Sequence, residues 1–150
     1  MSNQSAAVIA GVMPDSYEAG RVYCRSAKFT APAELAADSV IEMVPIPKNA
    51  MILDIKFQTS AAFHSATTTM DIGDGDDVDR FFDGVDVNAG ACNGELWSEG
   101  DVATCFNHVY SADDTIDAKV LGEVMDADVE ITMDVYYKVL GSIKDEADAF

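Results

Sequence analysis

The sequence predicts an all-β fold: an antiparallel β-sandwich, jelly-roll-like, with an extended N-terminal arm. Three observations predict it. Roughly eight segments of strand length follow one another at short, fairly regular spacing. The longest, residues 128–140 (DVEITMDVYYKVL), alternates apolar and polar positions throughout. No amphipathic stretch of ten residues with helical period interrupts them. A chain of 150 residues suits one domain, which buries about two-thirds of its unfolded surface. The expected division is an arm over 1–20, a sandwich over 21–141 and an acidic tail over 142–150.

Residues 1–20 show neither helical nor strand periodicity and contain Gly11, Pro14 and Gly20. Within them AAVIAGVM (6–13) carries Val8, Ile9 and Val12, for which a solvated tail has no use. The arm is therefore expected to order against a neighbouring subunit, a disordered terminus being the alternative. Residues 21–30 (RVYCRSAKFT) alternate loosely and form the only basic run, with Arg21, Arg25 and Lys28. A strand with one solvated face fits them, and so does a contact patch for an acidic partner. Residues 31–38 have room for one short helical turn, limited by Pro32.

Residues 40–45 (VIEMVP) and 51–59 (MILDIKFQT) predict two strands, joined by a turn containing Pro47 and Asn49. Strict alternation in the second puts Met51, Leu53, Ile55 and Phe57 on an apolar face. Residues 66–72 (ATTTMDI) form a threonine-rich strand. The turn GDGDD follows, and residues 78–87 then supply Phe81 and Phe82 for a core or a subunit contact. Residues 88–100 read as a loop that Trp97 anchors to the core or to a partner. Residues 102–111 and 115–121 alternate as strands, the latter with Ile116, Ala118 and Val120 inward.

The formal charge of −18 excludes some functions. Such a surface repels a phosphate backbone and anionic lipid, so neither nucleic acid nor a membrane is an expected partner. The apolar stretch 6–13 has no preceding basic residue and is too short to span a bilayer. Cys24, Cys92 and Cys105 are odd in number and widely spaced, which reads as reduced thiols.

Asp71, Asp74, Asp76, Asp77 and Asp79, with Gly73 and Gly75, resemble a calcium loop in composition. The EF-hand spacing fails, because Val78 takes a ligand position and no glutamate closes the loop. A solvated acidic turn is the simpler reading, and no metal or cofactor is assigned. Zinc would need Cys105, His108, His64 and Cys92, but residues three apart on a strand face opposite ways. His64 lies among Ser60, Ser65 and Thr67 without any nucleophile motif. It reads as a loop histidine, and no catalytic residue is assigned.

Four stretches in order carry a family resemblance: IPKNAMILDIKF, TTTMDIGDGDDVDRFF, YSADDTIDAKVL and EITMDVYYKVL. Together they resemble small head proteins of tailed bacteriophages, the class of capsid decoration or cement proteins, over about residues 39–140. Where that pattern usually has a glycine before its last strand, this chain has Asp126-Ala127-Asp128. The resemblance implies a β-sandwich without catalytic residues, made in the host cytoplasm and bound to the capsid exterior. It implies the major capsid protein as partner and self-association, often as a homotrimer. The expected contact residues are Val8, Ile9 and Val12 of the arm, Arg21 and Arg25, and Phe81, Phe82 and Trp97. Two other readings stay open: a calcium-dependent carbohydrate-binding sandwich on a tail or fibre, and a metal-dependent enzyme on a jelly-roll scaffold.

Overall fold

A computed structural model of the chain describes residues 3–5, 21–64, 67–88, 90–96 and 108–141. Every element named among them is a strand: β1 (Asn3–Gln4), β2 (Val22–Thr30), β3 (Val40–Ile46), β4 (Ala50–Thr59), β5 (Thr69–Asp74), β6 (Phe82–Asp86), β7 (Asn93–Glu95), β8 (Asp114–Leu121) and β9 (Glu130–Val139). They form two sheets, ordered β1-β3-β8-β5-β6 and β2-β9-β4-β7. All pairings are antiparallel except that of β1 with β3. The expected all-β sandwich is the fold.

Alternation builds the core. In β9, Ile131, Met133, Val135, Tyr137 and Val139 are all fully buried. Ile41, Val44 and Ile46 of β3, Met70 and Ile72 of β5, and Ile116, Ala118 and Val120 of β8 answer them from the other sheet. Burial of such side chains, each contributing about 1.5–3 kcal/mol, holds the two layers together.

β4 departs from strict alternation. Its pairing with β9 shifts between Ile52 and Asp54, leaving Leu53 as the extra residue of a β-bulge. The bulge changes the phase, so Ala50 and Ile52 face inward before it, and Ile55, Phe57 and Thr59 after it. Met51 and Leu53, expected on the apolar face, are only half-buried.

Other expectations change as well. Residues 31–38 form no helical turn; Leu35 instead makes an antiparallel bridge to Met125, with reciprocal 2.9 Å bonds. The strand expected at 66–72 runs on through Gly73 and Asp74, and the loop expected over 88–100 contains the short strand β7. At the N-terminus Asn3 and Gln4 pair with β3, and the Ser5 hydroxyl donates to the Met43 carbonyl. Residues 3–5 are thus tied to the sheet edge. Residues 6–20, the tail 142–150 and most of the strand expected at 102–111 lie outside the described residues.

Asp38, Asn49 and Asp128 adopt left-handed φ values of 64–65°. Short Asx side chains tolerate this conformation best after glycine. Asp128 takes this conformation where the chain turns into β9.

Candidate functional site

The acidic turn lies at one end of the five-stranded sheet and is built around a buried aspartate. Asp74 ends β5 on the core-facing side, paired with Ile116, and is 1% exposed. Arg80 Nε donates to its Oδ2 at 2.6 Å, and Tyr110 Oη donates to the same oxygen at 2.9 Å. The backbone N–H groups of Asp76 and Asp77 donate to Oδ1 at 3.1 and 2.9 Å, an Asx turn. Burial, Asp74 and the bond to it push the Tyr110 phenol far above its ordinary value, so it stays a donor. His108 Nε2 stands 3.9 Å from Oδ2. Burial and the nearby Arg80 guanidinium hold that imidazole below its usual value.

Gly73 lets this turn fold back. A Cβ there would lie 2.1 Å from the Asp77 carbonyl oxygen and 2.3 Å from the Val78 carbonyl carbon. Gly73 pairs with Asp117 on the outward side of the sheet, so the turn lies over that outer face. The expectation of a wholly solvated turn is thus corrected. Its rim, Asp76 and Asp79, is exposed, but its root is a buried ion pair with both Asp74 oxygens engaged. Among the described residues no group of three or more His, Cys, Asp or Glu is placed to hold a metal.

A second acidic feature lies beside it. Asp117 of β8 is 7% exposed, directly across from Glu42 of β3. Burial, reinforced by Asp114, Glu42 and Asp74, raises the Asp117 carboxyl to about 7 against the 2.6 Å bond from Thr115 Oγ1. Gln4 of β1 donates to Glu42, so the N-terminal strand is fastened to this pair.

The remaining polar candidates are bonded within the fold, except Cys105, which lies outside the described residues. His64 Nδ1 lies 2.8 Å from Asp126 Oδ1, and that bond raises its pKa. The Ser60 hydroxyl accepts from the Glu130 N–H. Cys92 is bonded to Thr59, and His108 lies near Ala50, which Tyr110 pairs with. Those two points mark opposite ends of β4, about 30 Å apart, so they do not form one metal site.

Of the expected contact residues, Phe81 and Phe82 are 0% and 3% exposed and belong to this chain's own core. Phe82 meets Phe57 edge to face at 5.2 Å, across the two sheets. They leave no surface for a partner, because inter-sheet packing consumes it. Arg21 is exposed, and Arg25 is half-buried in the edge strand β2. Val8, Ile9, Val12 and Trp97 lie outside the described residues.

The outer face of the four-stranded sheet holds what sequence reasoning missed. Its register aligns Val22 with Lys138, Lys138 with Met51, and Met51 with Val109. Val22 is 56% exposed, Val109 39% and the neighbouring Leu140 41%. Farther along the same face, Lys28 pairs with Glu130 at 2.6 Å and Lys56 with Glu95 at 2.9 Å. A shallow groove of about 270 Å³ there is lined by Lys56, Gln58, Asn93, Glu95, Thr132 and Asp134, among others.

Chains of three phage capsid structures share this fold. A chain in the capsid of Ralstonia phage GP4 is 20% identical, with a TM-score of 0.68, covering 92% of this chain and 97% of its own length. A chain of the cyanophage Pam1 capsid asymmetric unit is 13% identical, with a TM-score of 0.62 over 85% of this chain and 91% of that one. A chain of the acidic stable capsid of Helicobacter pylori bacteriophage KHP30 is 15% identical, with a TM-score of 0.52 over 84% and 94%. No family model matches the sequence, and no curated protein is similar to it.

Proposed function

We propose that the chain is a structural protein of a phage virion, and within that class a decoration or cement protein on the capsid exterior. The observation that carries this is the near end-to-end likeness to a chain of a phage capsid, 92% of one and 97% of the other. The side chains agree with an adhesive role. Asp74 is held by Arg80, His64 by Asp126, and the Cys92 N–H by the Thr59 hydroxyl.

Charge supports the exterior position. A shell's inner surface faces packaged DNA, and a chain of net charge −18 is repelled there. On the outside the same charge keeps particles apart and soluble. The partners are then the major capsid protein and further copies of this chain, as a homotrimer. The work is done by apolar burial at contacts, at about 25 cal/mol per Å² before the cost of association.

Mass spectrometry of purified virions, with copy number, tests this reading, followed by microscopy to place the density. The chain is expected at many copies per particle and outside the shell. Its absence from particles, or a place inside the shell, would refute it.

A further inference from the structure

We infer that Asp117 and Glu42 form a proton-operated latch for the N-terminal strand: β1 is held on the sheet while Asp117 is uncharged, and is released when Asp117 and Glu42 are both anions. Alternation sets the pair. Ile116 and Ala118 of β8 face the core, so Asp117 lies on the outer side of the five-stranded sheet. Glu42 lies directly across from it on β3. Like charges in that position repel, and with Asp117 only 7% exposed, water screens the repulsion poorly.

The other neighbours of Asp117 give an anion no relief. On β5 it faces Gly73, over which the backbone of Asp77 and Val78 lies. Asp71 is buried on the same face of β5, and Asp114 and Asp74 add negative charge. Thr115 Oγ1 donates to Asp117 at 2.6 Å. The cations serve other acids: Lys119 lies 3.4 Å from Asp38, and Arg80 is bonded to Asp74. The strands of this sheet carry seven acids and one base, Lys119. Those of the other sheet carry four of each. The Asp117 carboxyl accordingly keeps its proton up to about pH 7.

β1 is the element that this charge moves. It is two residues long, lies at the sheet edge and pairs with β3 alone. Its ties run to the latch. Gln4 donates to the Glu42 carboxylate, the Ser5 N–H to the Glu42 carbonyl at 2.8 Å, and the Ser5 hydroxyl to the Met43 carbonyl. A second charge beside Glu42 is relieved when Glu42 swings out to water, and that motion gives up the Gln4 bond. The acidic turn, the other cover of Asp117, is fixed by the buried pair of Asp74 and Arg80. A short edge strand is the piece that opens first. Its release unties the chain just ahead of the apolar stretch 6–13. The sign follows from the raised carboxyl: β1 is held most firmly below about pH 4, and the hold is lost as pH rises through about 7.

Amide hydrogen exchange of the full chain, followed by NMR between about pH 5 and pH 8, tests the latch. After correction for the intrinsic rate, protection of the Ser5 amide is expected to fall by about tenfold or more across that range. The amides of Met133 and Val135 in β9 are expected to keep theirs. Asp117→Asn is expected to leave Ser5 protected throughout, and Glu42→Gln to make the fall smaller. Coupling runs both ways, so Gln4→Ala with Ser5→Ala, which weakens β1, is expected to lower the pH at which the Asp117 carboxyl titrates. Ser5 protection that stays flat in the wild type, or falls equally in Asp117→Asn, would overturn the latch. So would a fall confined to the Asp76 and Asp77 amides, which places the opening in the acidic turn. If Asp117→Asn does not fold, Glu42→Gln and the Asp117 titration decide: an undiminished fall in the first or an unmoved titration in the second overturns the latch.

Discussion

Asp74 decides what the acidic turn is. With its carboxylate bonded to Arg80, Tyr110 and two backbone N–H groups, the turn is a fixed structure whose charged rim is presented in one shape. Removing one partner of a buried pair leaves the other charged and unsatisfied, which costs about 3–5 kcal/mol. Arg80→Ala is therefore expected to lower unfolding free energy by about that amount in a urea titration. Asp74→Asn keeps the shape and some of the bonds, and should cost less, about 2–3 kcal/mol. A loss below about 1 kcal/mol for Arg80→Ala would mean that the pair is no more than a surface contact. Gly73 is the other deciding position. Gly73→Ala must displace the backbone of Asp77 and Val78, and overpacking of this kind costs about 1–3 kcal/mol.

At the scale of elements, β8 carries a proton-sensitive pair. Asp117 faces Glu42 on one neighbour and Gly73 on the other, while Lys119, the cation of its own strand, is paired with Asp38 at 3.4 Å. A carboxyl raised from 3.8 to about 7 is stabilised in its neutral form by folding. Its contribution is fully present below pH 4 and is lost as pH rises through about 7. Asp71 and Asp114, raised by burial, and His64, raised by its bond to Asp126, have the same sign. His108, lowered by burial, opposes them, since it must charge as pH falls below its unfolded value. The expected result is a higher melting temperature at pH 5.5 than at pH 8.5. Asp117→Asn should flatten that slope, removing on the order of 3 kcal/mol of pH-dependent stability. A mutant slope equal to the wild type's would place the effect elsewhere.

The same elements show what the sequence could and could not reveal. β9 and β8 were legible because each alternates without a slip, and register then follows from period two. β4 was misread by face, since nothing in MILDIKF announces that Leu53 bulges; the cross-strand partners decide that. The acidic turn was legible as a turn from its glycines. The burial of Asp74 was not, because Arg80 and Tyr110 reach it through the tertiary fold. Phe81 and Phe82 suit both a core and a contact by sequence, and only the second sheet settles that. The exposed row at Val22 is not legible in the sequence, because Met51 and Val109 join it across strands far apart along the chain.

At the scale of the whole molecule, charge is unevenly shared between the two sheets, and the total of −18 repels itself. Raising sodium chloride from about 10 to 200 mM shortens the screening length from about 30 Å to less than 10 Å. The melting temperature is expected to rise across that range through relief of repulsion. This general response separates the proposed fold from the calcium reading of the acidic turn. A calcium site adds stability in proportion to the logarithm of free calcium over its dissociation constant. A turn whose central carboxylate already serves Arg80, Tyr110 and two N–H groups offers calcium only rim oxygens. Millimolar calcium should therefore raise the melting temperature no more than magnesium at equal ionic strength, and chelator should leave it unchanged. A calcium-specific shift of several degrees, abolished by Asp74→Asn, would mean that Arg80 gives way to the ion and that the turn is a metal site after all.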